Sequence, residues 1–197
     1  MTRMIVLLIV LLVGAALVLA GWNATRSRYE SAPYTVVRSD GSFELRDYPE
    51  MTVVETTMAS TGNNADNSFM RLFGFISGRN EAKQKISMTT PVFMSGSDPG
   101  RTMAFVMPAK MKTAEVPKPA DGSVTVRSLA PGRFAVLRFS GGRNEKLETE
   151  MLGRLKTWIT AQKLGVLSPP VYGYFDPPWT PSFLRRNEVM LRTDASQ

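Results

Sequence analysis

The chain repeats one pattern. From Phe43 to Met58 and again from Val124 to Phe139, two strand-like stretches flank a proline turn, and each pair leads into an amphipathic helix and then a strand that opens Pro-Val-aromatic. Pro49 in the first half answers Pro131 in the second, and Pro91 answers Pro170. Two such units predict an α+β domain: a distorted β-barrel of two pseudo-repeated strand-strand-helix-strand-strand units with two helices on it. A pocket between the halves follows from the same symmetry.

The local signals agree with the repeat. Tyr34–Ser39 and Phe43–Tyr48 read as strands joined at Asp40-Gly41, a strong hairpin turn. Thr52–Met58 is β-branched and alternates, and a polar loop follows from Ser60 to Asn67. Phe69, Leu72, Phe73 and Ile76 then fall at i, i+3, i+4 and i+7, which predicts a helix from Asn67 or Ser68 to Gly78 with this stripe against the sheet. Further strands are expected at Thr102–Met107, Val124–Leu129, Arg133–Phe139, Val171–Phe175 and Glu188–Arg192. Asn144 is placed to cap a longer helix with the stripe Leu147, Met151, Leu155, Trp158 and Ile159, stopped by Gly165. Its outer face is expected to carry Glu148, Glu150, Arg154 and Lys156.

Residues 4–22 are apolar apart from glycine, and no charge occurs between Arg3 and Arg26, so the segment has the length to cross a bilayer as a helix. Residues 1–25 are therefore read as a membrane anchor or signal segment, preceding a domain at 34–193. An uncleaved anchor makes a single-pass membrane protein with an exported, periplasmic or extracellular domain. Cleavage after Val18-Leu19-Ala20 would instead secrete it.

Two absences narrow the chemistry. The sequence has no cysteine and no histidine, which excludes disulfides, thiolate metal sites, the usual zinc sites and the usual haem ligand. Catalysis would fall to carboxylates, Lys, Tyr or Ser/Thr, and no catalytic residue is assigned. The net charge of +7 suits an acidic partner. Its basic residues are scattered and no helix-turn-helix, zinc or RNA-binding signature accompanies them, so nucleic acid is not an expected partner. The stretch Lys85–Met94 reads as one wall of a pocket for something flat and apolar, with Lys83 and Lys85 at an anionic edge. Met88, Met94, Met103, Met107 and Met111 suit either a soft pocket wall or an ordinary core.

Three stretches carry a family resemblance: Leu72-Phe-Gly-Phe-Ile-Ser-Gly-Arg-Asn80, Lys85-Ile-Ser-Met-Thr-Thr-Pro-Val92, and Tyr174-Phe-Asp-Pro-Pro-Trp-Thr-Pro-Ser-Phe-Leu-Arg-Arg-Asn-Glu-Val189. In this order they resemble the SOUL haem-binding protein family, from about Tyr34 to Thr193. The resemblance implies a distorted barrel with two helices and tetrapyrrole binding. Histidine ligation, used by some members, has no counterpart here. The other mode implied is an apolar groove beside the first helix with cations at the propionates. Its candidate residues are Phe69, Met70, Phe73 and Met88 for the ring, and Arg71, Arg79, Lys83 and Lys85 for the carboxylates. The ligand is then haem or another apolar anionic small molecule, held without an axial bond.

Phe69, Phe73 and Ile76 read first as core, since a helix stripe must be buried against something, and only second as ligand contacts. A tyrosinate ligand would need Tyr48, Tyr172 or Tyr174 beside an arginine that lowers its pKa. Arg185-Arg186-Asn187-Glu188 can tie the proline-rich loop to the last strand, or Glu188 can point into a pocket with a raised pKa and serve acid–base or sensing chemistry. Three functions stay open: a membrane-tethered haem carrier or buffer without catalysis, an enzyme-like pocket using Glu188, and a ligand-free scaffold at the membrane.

Overall fold

The computed structural model describes residues 29–59, 67–96 and 100–194, and Gly14, which is helical. The chain divides into two compact units, residues 1–30 and 31–197. Apart from Gly14, the expected anchor or signal segment lies outside the described residues. Among the described residues no helix is long and apolar enough to cross a membrane.

The strands are β1 (Glu30–Ser31), β2 (Thr35–Asp40), β3 (Phe43–Tyr48), β4 (Met51–Thr57), β5 (Thr89–Thr90), β6 (Val92–Ser95), β7 (Thr102–Val106), β8 (Val124–Leu129), β9 (Gly132–Phe139), β10 (Val171–Tyr174) and β11 (Asn187–Thr193). The helices are α1 (Ser68–Ile76) and α2 (Glu145–Ala161), and short 3-10 turns occur at Thr113–Glu115, between β7 and β8, and at Ser182–Leu184, between β10 and β11. Nine strands form one antiparallel sheet in the order β2-β3-β9-β11-β10-β6-β7-β4-β8.

The repeat is visible in that order. With β2 set aside, the order is unchanged when β3 is exchanged for β8, β9 for β4, β11 for β7 and β10 for β6, so a pseudo-twofold axis passes between β10 and β6. The registers match as well: Tyr48 faces Gly132 across β3 and β9, as Leu129 faces Met51 across β8 and β4. The expected barrel does not close, because β2 and β8 form the two edges of the sheet with no ladder between them. All six residues of β2 are exposed, so the strand brings no apolar face for closure to bury.

Side-chain alternation divides the interior. Leu45, Leu137, Val189 and Leu191 pack under α2 with Met151, Leu155, Trp158 and Ile159. Val54, Met94, Met103 and Phe105 pack under α1 with Leu72, Phe75 and Ile76. On β10, Tyr172 joins the α2 cluster and Tyr174 the α1 cluster. Residues two apart in a strand share a face, so both helices cover the same side of the sheet. The intervening positions, among them Tyr48, Val53, Phe93, Val106, Val136 and Met190, form a third core on the reverse side.

Asn144 caps α2 as expected, accepting the Leu147 N–H at 2.8 Å. Two expectations for the helices are corrected. Phe69 and Phe73 are not buried against the sheet; the buried residues of α1 are Ser68, Leu72, Gly74, Phe75 and Ile76. Nearly all of α1 is apolar, so period alone does not choose the buried face; the strands beneath it do. Glu148 is not on the outer face of α2 but is buried, only 8% exposed.

Candidate functional site: an aromatic helix face with a basic end

Turning Leu72, Phe75 and Ile76 inward leaves Phe69, Met70 and Phe73 outside, at 42%, 54% and 42% exposure. Burying any one of these would contribute about 1.5–3 kcal/mol, so their exposure is a cost the fold has not removed. Phe69 and Phe73 are one turn apart and stack, with ring centroids 6.1 Å apart and planes within 11°. Phe69 also meets the buried ring of Phe105 on β7 edge-on, with centroids 5.3 Å apart. The pair is thus a flat aromatic surface fixed from below.

On the other side of Met70 lies a groove of about 250 Å³, lined by Met70, Arg71, Phe75, Arg79, Asp121 and Val124 among others. Arg71 is committed to β4, donating to the Thr56 hydroxyl at 3.1 Å and the Thr57 carbonyl at 2.6 Å. Arg79 lies along the helix over Gly74, its Cδ 3.1 Å from where a β-carbon would stand, so the glycine makes room for it. Asp121 is held below the usual carboxylate range by Ser123, with a smaller contribution from Arg71.

A buried amide organises the loop beyond α1. Asn80 donates to the carbonyls of Phe75 at 2.9 Å and Gln84 at 2.7 Å, and accepts the Gln84 N–H at 3.0 Å. The Glu81 N–H reaches the Lys118 carbonyl at 3.0 Å, fastening this loop to the connector between halves. Lys83 and Lys85 are exposed on the loop that follows α1.

The sequence candidates therefore divide. Met70, Arg71 and Arg79 line the groove, and Phe69 and Phe73 form the adjoining face. Met88 is half-buried against the α1 core and is not among the groove residues. Met94, Met103 and Met107 are core, with Met111 packed at its margin. The expected wall at Lys85–Met94 is mostly interior: Ile86, Phe93 and Met94 are buried, and Lys85 points outward.

The tyrosine and glutamate alternatives end differently. Burial pushes the Tyr48 phenol up to about 12 despite Arg46 beside it. Burial and Glu148 likewise raise Tyr172, and raise Tyr174 far above its usual range. None of the three is disposed to ionise as a ligand. Glu188 is buried, as acid–base work would require, but its carboxylate bonds Arg46 at 2.8 and 3.1 Å and Arg186 at 2.7 and 3.0 Å. Burial alone would raise its pKa, yet the two guanidiniums outweigh it and hold the carboxyl below the ordinary value. The alternative of a Glu188 with raised pKa is thereby corrected to a carboxylate whose ionised form is favoured by its two arginine partners. The other reading of Arg185–Glu188 matches the contacts. Arg185 donates to the Thr180 and Pro178 carbonyls, the Arg186 N–H to Asp176, and Asn187 to the Gly141 carbonyl.

Glu148 was missed as an interior group. It accepts from the Tyr174 hydroxyl and from Arg101 at 3.1 Å, where α2 meets the sheet. Its spacing from Met151, Leu155 and Trp158 places it on the buried stripe, and only its charge argued otherwise. Among the described residues no group of three or more acidic side chains is placed to hold a metal ion.

Residues 29–192 match the SOUL heme-binding protein family. The chain belongs to this family. The SOUL domain is 28% identical over 173 residues to heme-binding protein 2 of Mus musculus, covering 81% of this chain and 82% of that one. Its fold is shared with the C-terminal domain of EcmrR, at a TM-score of 0.54 and 12% identity over 82% of this chain and 98% of that one. A hydrolase from Listeria innocua gives a TM-score of 0.59 at 11% identity, covering 80% and 94%. At such identities these two establish the fold alone. The SOUL family is haem-binding, and the α1 surface of this chain is apolar with exposed cations on the loop that follows it.

Proposed function

We propose that this SOUL protein is a non-catalytic carrier or buffer of haem or a related tetrapyrrole. Its domain, residues 34–193, would stand outside the cytoplasm, tethered to the membrane by residues 4–22. The observation that carries the reading is the stacked, exposed Phe69–Phe73 pair with cationic side chains at the end of its helix. A flat macrocycle laid on these rings removes apolar surface from water, at roughly 25 cal/mol per Å² before association costs, which is sufficient for micromolar affinity. Met70 would extend the apolar contact, and Arg79, Lys83 and Lys85 would meet the propionates. Arg71, already bonded to β4, would chiefly hold the groove open.

Bound haem would supply iron redox and ligand chemistry, whereas these residues bind and orient the ring. With no histidine in the chain and Tyr48, Tyr172 and Tyr174 held neutral by burial, affinity would come from the ring and carboxylates. The test is titration of the full-length protein with hemin and with iron-free protoporphyrin IX, following the Soret band and tryptophan quenching. Saturable binding of both with similar affinity supports the reading. Absence of saturable binding would remove it and favour a scaffold role.

A further inference from the structure

The two most exposed large apolar side chains among the described residues lie on one loop, between β10 and β11: Trp179 at 81% and Phe183 at 73%. The loop is not slack. Arg185 donates to the Thr180 carbonyl at 2.8 Å and to the Pro178 carbonyl, and Thr180 is itself buried. The Arg186 N–H bonds the Asp176 carboxylate at 2.6 Å, and the Arg186 guanidinium lies 4.0 Å from the Phe175 ring centroid. Pro177, Pro178 and Pro181 restrict the backbone between these fastenings. Both aromatics are therefore presented by a braced platform.

The surroundings are basic. The Gly141 N–H bonds the Ser182 carbonyl at 3.0 Å, which brings the neighbouring β9–α2 turn, with Arg143, against the loop. Arg138, paired loosely with Glu44 and Glu188 at 3.7 and 3.6 Å, and Arg143, with Glu148 at 3.8 Å, keep 46% and 37% of their side chains exposed. The base of the loop also marks where the chain enters the domain, because Arg186 donates to the Tyr34 hydroxyl at 3.4 Å. The nine residues from Asn23 to Ser31 span at most about 30 Å in any conformation. A bilayer holding residues 4–22 would be joined to the domain by this short stretch of chain alone.

Exposed tryptophan and phenylalanine beside arginine suit the headgroup region of a bilayer containing anionic lipid. We propose that Trp179 and Phe183 insert into the interface of the membrane that tethers the chain, fixing the domain's orientation on it. This rests on the reading of residues 4–22 as a membrane segment.

The full-length protein is placed in phosphatidylcholine–phosphatidylglycerol vesicles brominated on the acyl chains, and quenching of its three tryptophans is resolved with W179F and W22F. Trp158, buried and stacked on Phe43, is the internal reference. The expected result is that the emission component lost in W179F is quenched several-fold more than Trp158. Quenching of Trp22 with Trp179 no more quenched than Trp158 would overturn the loop proposal and leave the tether intact. Quenching of Trp179 alone would support insertion while removing the tether, and quenching of neither would overturn both.

Discussion

Arg46 and Glu188 meet as a doubly hydrogen-bonded ion pair with neither side chain exposed: Nη1 to Oε2 is 2.8 Å and Nη2 to Oε1 is 3.1 Å. Arg46 also donates to Glu44 at 2.6 Å and Tyr48 at 3.0 Å, and lies 4.1 Å from the Tyr34 ring centroid. The pair links β3 to β11 across β9, which lies between them in the sheet.

Removing Arg46 takes a large side chain out of the interior and leaves the buried Glu188 carboxylate with Arg186 alone at hydrogen-bond distance. Arg46→Ala should destabilise the protein by about 3–5 kcal/mol in urea unfolding, whereas Arg46→Met combined with Glu188→Met should cost less than the single change. A double variant at least as unstable as Arg46→Ala would contradict this account.

The same pair predicts an acid limb in the stability curve. Glu188 has a lower pKa folded than unfolded, so its stabilisation is fully present above the unfolded value of 4.5 and is lost as pH falls through the folded value. Urea midpoints measured downward from neutral pH should fall with acid, and less steeply in Glu188→Gln. Tyr48 behaves oppositely: raised to about 12 from 10.0, it contributes stability below pH 10 that is lost as pH rises through 12. Tyr48→Phe should flatten that alkaline limb.

The two faces of α1 should separate binding from folding. Phe73→Ala on the outer face should weaken porphyrin binding about tenfold or more with stability changed by less than about 1 kcal/mol, since the ring is already half in water. Phe75→Ala on the inner face should cost about 3–5 kcal/mol by leaving a cavity. Calorimetric unfolding and hemin titration of both variants provide the comparison.

Replacing Lys83 and Lys85 with glutamine should weaken hemin binding several-fold and reduce its dependence on salt. If the lysines meet the propionates, porphyrin dimethyl ester, which lacks those charges, should bind the wild type and the variant alike.

Asn80→Ala removes three hydrogen bonds from a site only 4% exposed. A loss of about 1–3 kcal/mol is expected, together with faster amide exchange across residues 79–86 and weaker hemin binding, because this loop positions the cations.

The sequence by itself determined the repeat, the order of elements and the family. Strand alternation, turn prolines and the Asn144 cap are local properties of the chain, and the structure reproduces them closely at Tyr34–Tyr48, Val124–Phe139 and the start of α2, whereas the helix ends at Ala161, ahead of the expected stop at Gly165. Tertiary structure decided which way ambiguous side chains turn. In α1 the phenylalanines can face either way by period, and only the strands beneath choose Phe75 over Phe69 and Phe73, creating the exposed aromatic surface. Glu148 and Glu188 go inside because arginines from distant parts of the chain, Arg101 and Arg46, arrive to meet them. An open sheet replaces the expected barrel because β2 adds a strand with no buried face. In each case the deciding partner is far away in sequence, so no local pattern could report it.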